Sequence, residues 1–505
     1  MATVLSIDAG TTGVRALAVD HRGEVLDVAY RELTQYFPQP GWVEHDAAEI
    51  WEHVSSTLAE VSARLAARGE RPVAIGLTNQ RETVVAFDRS TGRPLHRAIV
   101  WQDRRTAPEC AALRGAGHLP RVRAATGLVL DPYFSATKMA WLLRGGALDD
   151  HRPADLALGT VDSWVLWNLT GGTDGGSFLT DPTNASRTLV YDIGERAWSD
   201  ELCELFRVPR AALAEVRPSC GRFGLVAPGA GAGLEDLAGV PISGVAGDQQ
   251  SALFGQACFS PGMVKATYGT GSFVLCNVGE RWPEVAEGLV TTIAWDLGEH
   301  AGNAPRVSYA LEGSTFASGA AIQWLRDGLG VIEQAADVGP LAASVPDSGG
   351  VSVVPAFTGL GSPWWDPDAR GTITGLTRGS GVAQLARAVV ESLSFSVRAM
   401  VDAMVAATGQ LAELRVDGGA AAMNLLLELQ ADQVRVPVAR PRSTESTALG
   451  AAMLAGLAEG VWAGLDELAA LWQLDVEHRP QTDQLVTDAA YAQWLRTVDR
   501  SRALD

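Results

Sequence analysis

The first 30 residues alternate short apolar runs with turns. Residues 4–7 are followed by a turn at 9–13, then by the apolar run 14–19, and a second turn leads into 24–30. Apolar runs separated by turn residues at this spacing are typical of adjacent antiparallel strands. We therefore predict a three-stranded meander at the start of the chain.

The segment that follows has helical spacing. Asp46 precedes it and Glu49 stands three residues later, which is the pattern of a capping box, and Gly69 marks the end. Residues 73–77 then form an apolar run that predicts a buried strand. One face of the helix would be apolar, formed by Ile50, Val54, Leu58, Val61 and Leu65. Alternating strands and helices predict an α/β architecture.

A second hairpin pattern opens the other half of the chain. Residues 264–267, a Thr/Gly turn and residues 272–278 repeat the order strand, turn, strand. Together with a length of 505 residues, which exceeds what one hydrophobic core usually covers, this repeat predicts a duplicated domain. We expect an N-terminal domain over 1–255 and a C-terminal domain over 256–505.

Composition narrows the class of protein. The net charge of −19 argues against nucleic-acid binding, which relies on clustered Lys and Arg. Five widely spaced cysteines without a CxxC pair predict buried free thiols rather than disulfides or zinc. The apolar run 447–458 is too short to cross a bilayer, and the run 348–365 is broken by prolines and glycines. We expect a cytoplasmic protein without stable membrane insertion.

The turn Asp8-Ala9-Gly10-Thr11-Thr12-Gly13 has the residues of a phosphate site. Glycines let the backbone approach a phosphate closely, and successive N–H groups and threonine hydroxyls donate to it. Arg15 follows close enough to contact the same anion. Asp8 cannot bind phosphate directly, but it could hold Mg²⁺ or its waters. The alternative is a plain hairpin turn.

Two further glycine segments have similar chemistry. Tyr268-Gly269-Thr270-Gly271-Ser272 repeats the Thr/Gly turn, so that the two turns could clamp a polyphosphate. Asp417-Gly418-Gly419 follows a predicted strand at 414–416 and precedes a predicted helix at 420–433, an arrangement that binds ligands at the helix start. The chain has no P-loop motif.

Gly319 lies within a helical pattern over 311–329, where glycine costs about 1 kcal/mol relative to alanine. Gln323 stands one turn further along the same face. A glycine at such a position favours close approach of a ligand or of another helix, and packing is the simpler interpretation.

Asp248 ends an apolar run at 241–246 that predicts a buried strand. A carboxylate at such a strand end can act as general base for a hydroxyl, or it can cap a helix beginning at Gln249. Arg81 and Glu82 follow the strand at 73–77, where one donates and the other accepts hydrogen bonds to polyol hydroxyls. The alternative for this pair is a surface ion pair.

Two aromatic residues stand near these strand ends. Trp101 follows an apolar run at 98–100, and Tyr133 lies in Leu130-Asp131-Pro132-Tyr133. Aromatic rings can cover the carbon edge of a sugar or polyol, although most aromatic residues belong to the core. The eight histidines show no metal-ligand spacing.

Taken together, these segments resemble the FGGY family of carbohydrate kinases, from Asp8 to about Trp494. The glycine turns are common to the family, whereas Arg81, Glu82, Trp101, Tyr133 and Phe273 resemble the members that phosphorylate glycerol. Markers of the resemblance are Gly41-Trp42-Val43-Glu44-His45-Asp46, Thr78-Asn79-Gln80-Arg81-Glu82-Thr83, Ile99-Val100-Trp101-Gln102, Asp131-Pro132-Tyr133-Phe134-Ser135, Thr183-Asn184-Ala185-Ser186-Arg187, Gly247-Asp248-Gln249-Gln250 and Gly361-Ser362-Pro363-Trp364-Trp365-Asp366.

The resemblance implies two actin-like, ribonuclease-H-like domains flanking a cleft, and ATP-dependent phosphorylation of glycerol to sn-glycerol 3-phosphate and ADP. It implies Asp248 as the base, with Mg²⁺ near Asp8. The implied glycerol-binding residues are Arg81, Glu82, Trp101, Tyr133, Asp248, Gln249 and Phe273. The implied nucleotide-binding residues are Thr11, Thr12, Gly13, Arg15, Thr270, Gly319, Gln323, Gly419 and either Met423 or Asn424. Related kinases form dimers and tetramers, and we expect a homodimer or homotetramer.

The chain departs from the family at two places. Met423 stands where the family usually has asparagine, and Asn424 is one residue later, so the adenine-side contact falls to one or the other. The loop 227–240 lacks the arginine that binds fructose 1,6-bisphosphate in enterobacterial relatives, and Gly239 stands in its place. We therefore expect weak or absent inhibition by that sugar phosphate.

Two other functions share part of these motifs. Another FGGY kinase would act on a pentulose or on a four-carbon polyol. An actin-like ATPase serving as a filament or binding module would share the phosphate turns but would not need Arg81, Glu82 or Trp101.

Overall fold

The computed structural model describes residues 2–144, 155–283, 286–409 and 411–502. The chain divides into two compact units, and both are discontinuous in sequence. Unit 1 contains residues up to 257, with 291–309 and 445–471, and unit 2 contains 258–290, 310–444 and 472–505. The chain first passes from unit 1 to unit 2 between residues 257 and 258, two residues after the predicted domain boundary at 255/256. Whether the two predicted domains are the functional domains of the protein remains a prediction.

Unit 1 is built on a six-stranded mixed sheet. Its strand order is Cys220–Leu225, Pro241–Gly247, Ala74–Asn79, Thr3–Ala9, Gly13–Asp20 and Val25–Glu32. The last three strands pair antiparallel, which confirms the predicted meander. The three central strands Pro241–Gly247, Ala74–Asn79 and Thr3–Ala9 are parallel, so their carboxyl ends reach the same edge of the sheet.

Smaller strands and, among the described residues, ten α-helices complete unit 1. A five-stranded sheet contains Glu44–His45, Ala98–Ile99, Val84–Asp88, Arg93–Pro94 and Leu156–Thr160. The remaining strands are Leu179–Thr180, Glu215–Val216, Tyr191–Asp192, Ala197–Trp198 and Val290–Asp296, the last of which begins at the crossing between the units. The α-helices are Ala47–Ala66, Ala107–Gly115, Leu119–Thr126, Ser135–Arg144, Val161–Leu169, Pro182–Ala185, Asp200–Phe206, Asp248–Gly255, Ser446–Ala458 and Leu465–Leu471.

The first helix, Ala47–Ala66, confirms the predicted helix and its apolar face. The Asp46 carboxylate caps it by accepting from the Ala48 N–H. The Glu49 carboxylate accepts instead from the N–H of Thr34, at 3.0 Å, because the chain returning from the meander brings that donor within reach. The prediction of Asp46 as the capping residue is therefore confirmed. Glu49 does not complete the predicted capping box, because its carboxylate binds the N–H of Thr34.

The apolar segment 447–458 belongs to the buried helix Ser446–Ala458, which packs directly on the central strands. A Cβ atom added at Gly76 would lie only 2.1 Å from the Ala451 carbonyl oxygen, and one added at Gly244 would lie 2.4 Å from the Ala455 nitrogen. Glycines on the sheet thus allow the helix backbone to touch it. Across the four described ranges, no helix combines the length and apolar character needed to span a membrane.

Unit 2 repeats the plan with another mixed sheet. Its strands, in order, are Val307–Thr315, Ser272–Gly279, Met263–Tyr268, Glu413–Asp417, Val438–Pro441 and Leu474–His478, with the first three residues of Val307–Thr315 assigned to unit 1. A small separate pair is Ser352–Val354 with Thr372–Thr374. Its α-helices are Gly319–Gln323, Val338–Ala343, Val382–Thr408, Asn424–Val434 and Gln484–Arg502.

The two units share one local pattern. In each, an antiparallel hairpin lies beside a parallel strand: Thr3–Ala9 with Ala74–Asn79 in unit 1, and Met263–Tyr268 with Glu413–Asp417 in unit 2. The predicted α/β class with two similar units is therefore confirmed.

The prediction of a helix over 311–329 was wrong. Residues up to Thr315 continue the strand Val307–Thr315, and the helix begins only at Gly319 and ends at Gln323, followed by a single π-helical turn. The strand is buried along almost its whole length although Glu312 and Ser314 are polar, so hydrophobicity gives no signal of a buried strand over 311–315. The predicted helix at 420–433 likewise begins later, at Asn424.

Candidate active site

The carboxyl ends of three parallel strands bring the main candidates of unit 1 together. Asp8 lies at the end of Thr3–Ala9, and Asp248 directly follows Pro241–Gly247. Arg81 and Glu82 follow Ala74–Asn79, the strand between them. In the register of the sheet, Asn79 is opposite Ala9 on one side and Gly247 on the other. Residues more than 160 positions apart in sequence therefore meet at one edge, where α/β sheets usually bind ligands.

The Arg81 side chain is the centre of this cluster. Its Nε lies 3.2 Å from Asp248 Oδ1, its Nη1 donates to Gln250 Oε1 at 3.1 Å, and its Nη2 donates to the Tyr133 hydroxyl at 3.1 Å. The side chain is only 2% exposed, so the alternative of a surface ion pair was wrong. A buried guanidinium with three different partners has a fixed position, which suits it to orient a small polar molecule.

Glu82 is equally buried and is held from both sides. Its Oε1 lies 3.8 Å from Arg81 Nε and accepts a 2.6 Å hydrogen bond from Arg187 Nε, and its carbonyl accepts from the Ser135 hydroxyl. Its φ angle of 59° is in the left-handed region, which is unfavourable for a non-glycine residue. Such a backbone persists only where the surroundings enforce it, and it occurs often at functional sites.

Asp248 is the first residue of the helix Asp248–Gly255, and Gly247 occupies the cap position. The alternative of Asp248 as N-cap was therefore wrong by one residue. Its Oδ1 accepts from the Gln249 N–H at 2.7 Å, and the helix start favours a negative charge. The side chain keeps 27% of its surface exposed, which leaves room for a hydroxyl group to approach. Gln249 follows as a buried residue of the first turn.

Trp101 and Tyr133 form an edge-to-face pair with ring centroids 5.6 Å apart. Tyr133 is buried, and its hydroxyl faces Arg81. The indole Nε1 of Trp101 donates to the Thr11 hydroxyl at 2.9 Å. Trp101 is only half-buried, so it is not an ordinary core aromatic, and it lies beside the turn 8–13 that is predicted to bind phosphate.

The predicted phosphate turn adopts a tight hairpin. The Gly10 N–H donates to the Gly13 carbonyl, and a Cβ atom at Gly13 would lie 2.6 Å from the Arg31 carbonyl oxygen, a backbone atom, so glycine is favoured there. Thr11 and Thr12 occupy the bend. The hydrogen bond and the close backbone contact hold residues 10–13 in one conformation.

Arg15, on the strand after that turn, is paired with two carboxylates. Its Nη1 donates to Glu445 Oε2 at 2.8 Å, and its Nε lies 3.6 Å from Asp8 Oδ2. A phosphate bound at the turn would therefore share this guanidinium with Asp8 and Glu445.

Asp8 is the candidate metal ligand. Burial raises its pKa to about 7; Arg15 opposes this shift, whereas Asp248 and Glu445 add to it. Among the described residues, no group of three or more His, Cys, Asp and Glu side chains could by itself hold a metal ion. Mg²⁺ commonly uses one or two carboxylates and takes its other ligands from water and substrate phosphates. A desolvated carboxylate close to a second one fits that requirement.

Unit 2 contains a cavity of about 670 Å³. All the candidate nucleotide residues from this half of the chain line it, namely Thr270, Gly319, Gln323, Gly419, Met423 and Asn424. Gly319 is close to the turn rather than to another helix: its N–H donates to the Gly269 carbonyl, and an added Cβ would lie 2.7 Å from that oxygen. The cavity volume is within the range of small-molecule and cofactor pockets.

Met423 and Asn424 differ in their partners at the wall of this cavity. Asn424 Oδ1 accepts from Arg440 Nη1 at 3.2 Å, whereas the Met423 side chain packs against Gly339. Phe273, the remaining candidate for substrate binding, lies on the strand Ser272–Gly279 opposite Thr267 and is not among the residues that line the cavity.

Several residues of the site were not singled out from the sequence for their chemistry. Gln250 and Arg187 hold Arg81 and Glu82, and Gln80 donates through Nε2 to the Gly10 carbonyl of the phosphate turn. Lys138 binds the backbone of the segment that carries Tyr133. Only Lys138 had a compositional signal, since lysine is rare in this chain.

The α/β fold with two similar units, the carboxylate and arginine cluster at parallel strand ends, and the cavity beside a Thr/Gly turn are the arrangement that the resemblance to kinases of small metabolites implies. Residues 3–255 match the model of the N-terminal domain of the FGGY family of carbohydrate kinases, and residues 264–459 match the model of its C-terminal domain. The chain belongs to the FGGY family of carbohydrate kinases.

Similar proteins include a glycerol kinase of Trichlorobacter lovleyi, 53% identical over 506 residues that cover 99% of each chain. Among solved structures, glycerol kinase of Plasmodium falciparum with ADP superimposes with a TM-score of 0.90 at 32% identity, covering 99% of this chain and 98% of the other. A xylulose kinase of Lactobacillus acidophilus has a TM-score of 0.87 at 19% identity, covering 100% and 98% respectively, and this likeness concerns the fold alone.

Proposed function

We propose that this protein transfers the γ-phosphoryl group of ATP to a terminal hydroxyl of glycerol, giving sn-glycerol 3-phosphate and ADP. The 53% identity to a glycerol kinase along the whole chain supports the substrate. The observation that carries the proposal is the buried Arg81 guanidinium, which lies 3.2 Å from the Asp248 carboxylate and donates to the Tyr133 hydroxyl at 3.1 Å.

Asp248 acts as the general base. As the glycerol oxygen bonds to the γ-phosphorus, the hydroxyl proton passes to the Asp248 carboxylate, the bond to the bridging β–γ oxygen breaks, and ADP leaves. Arg81 orients the carboxylate through its 3.2 Å contact, and the exposed part of the side chain accepts the hydroxyl.

Glycerol has three hydroxyls and an apolar carbon edge, and the proposed contacts match both. Charged and polar groups bind the hydroxyls, while aromatic faces cover the carbons. The proposed hydroxyl contacts are Arg81, Glu82, Tyr133, Asp248 and Gln249. The proposed carbon contacts are Trp101 and Phe273.

The nucleotide is proposed to bind at the two turns and in the unit 2 cavity. Its phosphates contact Thr11, Thr12, Gly13 and Arg15. The rest of the nucleotide contacts Thr270, Gly319, Gln323, Gly419 and either Met423 or Asn424. When Mg²⁺ is bound, it neutralises phosphate charge, and Asp8 is the residue that would hold it or its waters. The use of ATP and the five buried free thiols favour the cytoplasm, and we expect a homodimer or homotetramer.

A substrate panel tests the proposal. ATP-dependent phosphorylation of glycerol, xylulose and erythritol is measured by coupled ADP release, and the product is identified by mass spectrometry. We expect the highest kcat/KM for glycerol. A higher value for xylulose or erythritol would assign the chain to another FGGY substrate, and glycerol-independent ATP hydrolysis without a phosphorylated product would favour an actin-like ATPase.

A further inference from the structure

Lysine is almost absent from this chain. Of its 40 cationic Lys and Arg residues, 38 are arginines, and the two lysines are Lys138 and Lys265. Both lysines are fully buried, with no exposed surface. A compact ammonium with three N–H donors differs from a planar guanidinium, and the two are not interchangeable in a closed site. The chain therefore keeps lysine only at buried positions, and Lys138 has the clearer geometry.

The Lys138 ammonium binds three consecutive backbone carbonyls. Nζ donates to the carbonyl oxygens of Pro132 at 2.9 Å, Tyr133 at 2.7 Å and Phe134 at 2.8 Å. Lys138 lies in the helix Ser135–Arg144, so its side chain folds back over the segment that precedes the helix. All three N–H donors of the ammonium are used, and a neutral side chain of similar length would leave three buried acceptors unpaired.

The segment held by Lys138 leads directly to the candidate base. Tyr133 is the middle residue of the three, and its hydroxyl accepts from Arg81 Nη2, whose guanidinium contacts Asp248. The Tyr133 N–H also donates to Asp131 Oδ1, and the same oxygen pairs with Arg104. The backbone of Tyr133 is thus held at its carbonyl by Lys138 and at its N–H by Asp131. The position of this backbone determines where the Tyr133 hydroxyl meets Arg81.

We propose that Lys138 is a positioning residue for the phosphoryl-transfer site, holding residues 132–134 so that Tyr133 and Arg81 form the substrate-binding surface. This inference rests on the proposed function. It predicts that loss of the ammonium raises the glycerol KM, while nucleotide affinity, which depends on other residues, changes little.

The ammonium is expected to titrate well below the ordinary range of a lysine. Burial lowers the pKa of Lys138 from 10.5 to about 8, although the Glu82, Asp103 and Asp131 carboxylates and the Cys110 thiol that face it act in the opposite direction. Above pH 8 the neutral amine has only two N–H groups, so one of the three carbonyls loses its donor. If the cost of one lost buried hydrogen bond is transmitted to the substrate-binding surface, we expect the glycerol KM to rise by about tenfold.

The contribution of Lys138 to the free energy of unfolding is expected to increase with pH, whereas glycerol binding is expected to weaken. The unfolded chain binds this proton up to about pH 10.5 and the folded chain only up to about pH 8. Between these values the unfolded state binds more protons, so the contribution of Lys138 to the free energy of unfolding rises with pH. A glycerol KM that rises above pH 8 without loss of stability from this group therefore distinguishes positioning from a merely structural role.

The first experiment measures the lysine directly. Protein containing ¹³C-labelled lysine has only two lysine side chains, so the two Cε resonances can be followed from pH 6 to pH 11 and assigned with a Lys265→Arg variant. We expect the Lys138 resonance to titrate near pH 8, and a midpoint near the ordinary 10.5 would overturn the predicted pH dependence of the glycerol KM. The readout does not depend on glycerol turnover, so it is separate from a failure of the proposed function.

The second experiment measures kinetics. Lys138→Met is expected to raise the glycerol KM at least tenfold, to leave ADP affinity within about twofold, and to abolish the rise in KM above pH 8. Lys138→Arg keeps the positive charge but not the compact ammonium, so we expect its glycerol KM to stay close to that of Lys138→Met. Met139→Ala, a buried change in the same helix, serves as the stability control and should lower Tm without raising KM. An unchanged KM in Lys138→Met would overturn the proposal; if that variant does not fold, the wild-type KM–pH profile decides, and a flat profile would overturn it.

Discussion

The indole N–H of Trp101 donates a 2.9 Å hydrogen bond to the hydroxyl of Thr11. The two residues are 90 positions apart, yet both belong to unit 1. Trp101 is the proposed cover of the glycerol carbons, and Thr11 is a proposed phosphate contact. A displacement of the indole by the acceptor substrate would therefore reach the phosphate turn through one hydrogen bond.

This contact predicts energetic coupling between the two residues. Trp101→Phe keeps an aromatic face and removes the N–H donor, and Thr11→Val removes the acceptor. We expect each change to lower kcat/KM for glycerol, and a double-mutant cycle to give a coupling free energy of about 1 kcal/mol, because one hydrogen bond is shared. Trp198→Phe, at an indole that donates to the Ala214 carbonyl, is the matched control and should not couple with Thr11→Val. Additive effects of Trp101→Phe and Thr11→Val would exclude the link.

Asp248→Asn tests the proposed base. The amide has nearly the same shape but cannot accept the substrate proton, so we expect kcat to fall by about 10²–10⁴-fold. ADP binding, measured by calorimetry, should be retained because Asp248 is not among the residues that line the unit 2 cavity. A wild-type kcat in this variant would refute the role of Asp248, and parallel losses of kcat and of ADP affinity would indicate general damage to the site.

The Glu82 and Arg187 pair predicts a stability effect. Both side chains are almost completely buried, and Arg187 Nε donates to Glu82 Oε1 at 2.6 Å. Glu82→Gln removes the negative charge that the buried Arg187 Nε contacts, so we expect the free energy of unfolding to fall by about 3–5 kcal/mol. Urea denaturation measures it. Glu60→Gln is the control, because its exposed pairs with Arg31 and Arg64 are worth about 1 kcal/mol or less.

The strand ends show what the sequence could predict. The meander, the first helix and the positions of Asp8, Arg81 and Asp248 after apolar runs followed from local pattern, and the fold class followed from their alternation. Their convergence depends on strand order, which places Ala74–Asn79 between two strands from distant parts of the chain. No local pattern contains that order, so the Arg81–Glu82 pair was equally compatible with the surface.

The contacts of Arg187 and Gln250 could not be predicted from the sequence for the same reason. Arg187 and Gln250 stand in segments that mark the family resemblance, but only the fold shows that they contact Glu82 and Arg81. The helix predicted over 311–329 was wrong over 311–315 because the strand there buries polar residues such as Glu312 and Ser314, which give no hydrophobic signal of a buried strand. Substrate choice came from resemblance to a family, since the same residue types would bind many polyols.

The loop 227–240 predicts the response to fructose 1,6-bisphosphate. It contains no lysine, arginine or histidine, and its charged residues are Glu235 and Asp236. Arg71, which approaches from outside the loop, donates to the Ala238 carbonyl at 2.8 Å. Gly239 has φ of 80°, a conformation that an arginine side chain would strain. Because a bisphosphate needs cationic or N–H donors, we expect no inhibition of glycerol phosphorylation up to millimolar concentrations. Initial rates measured against increasing fructose 1,6-bisphosphate decide the matter, and tight, saturable inhibition would show that a cationic site exists elsewhere.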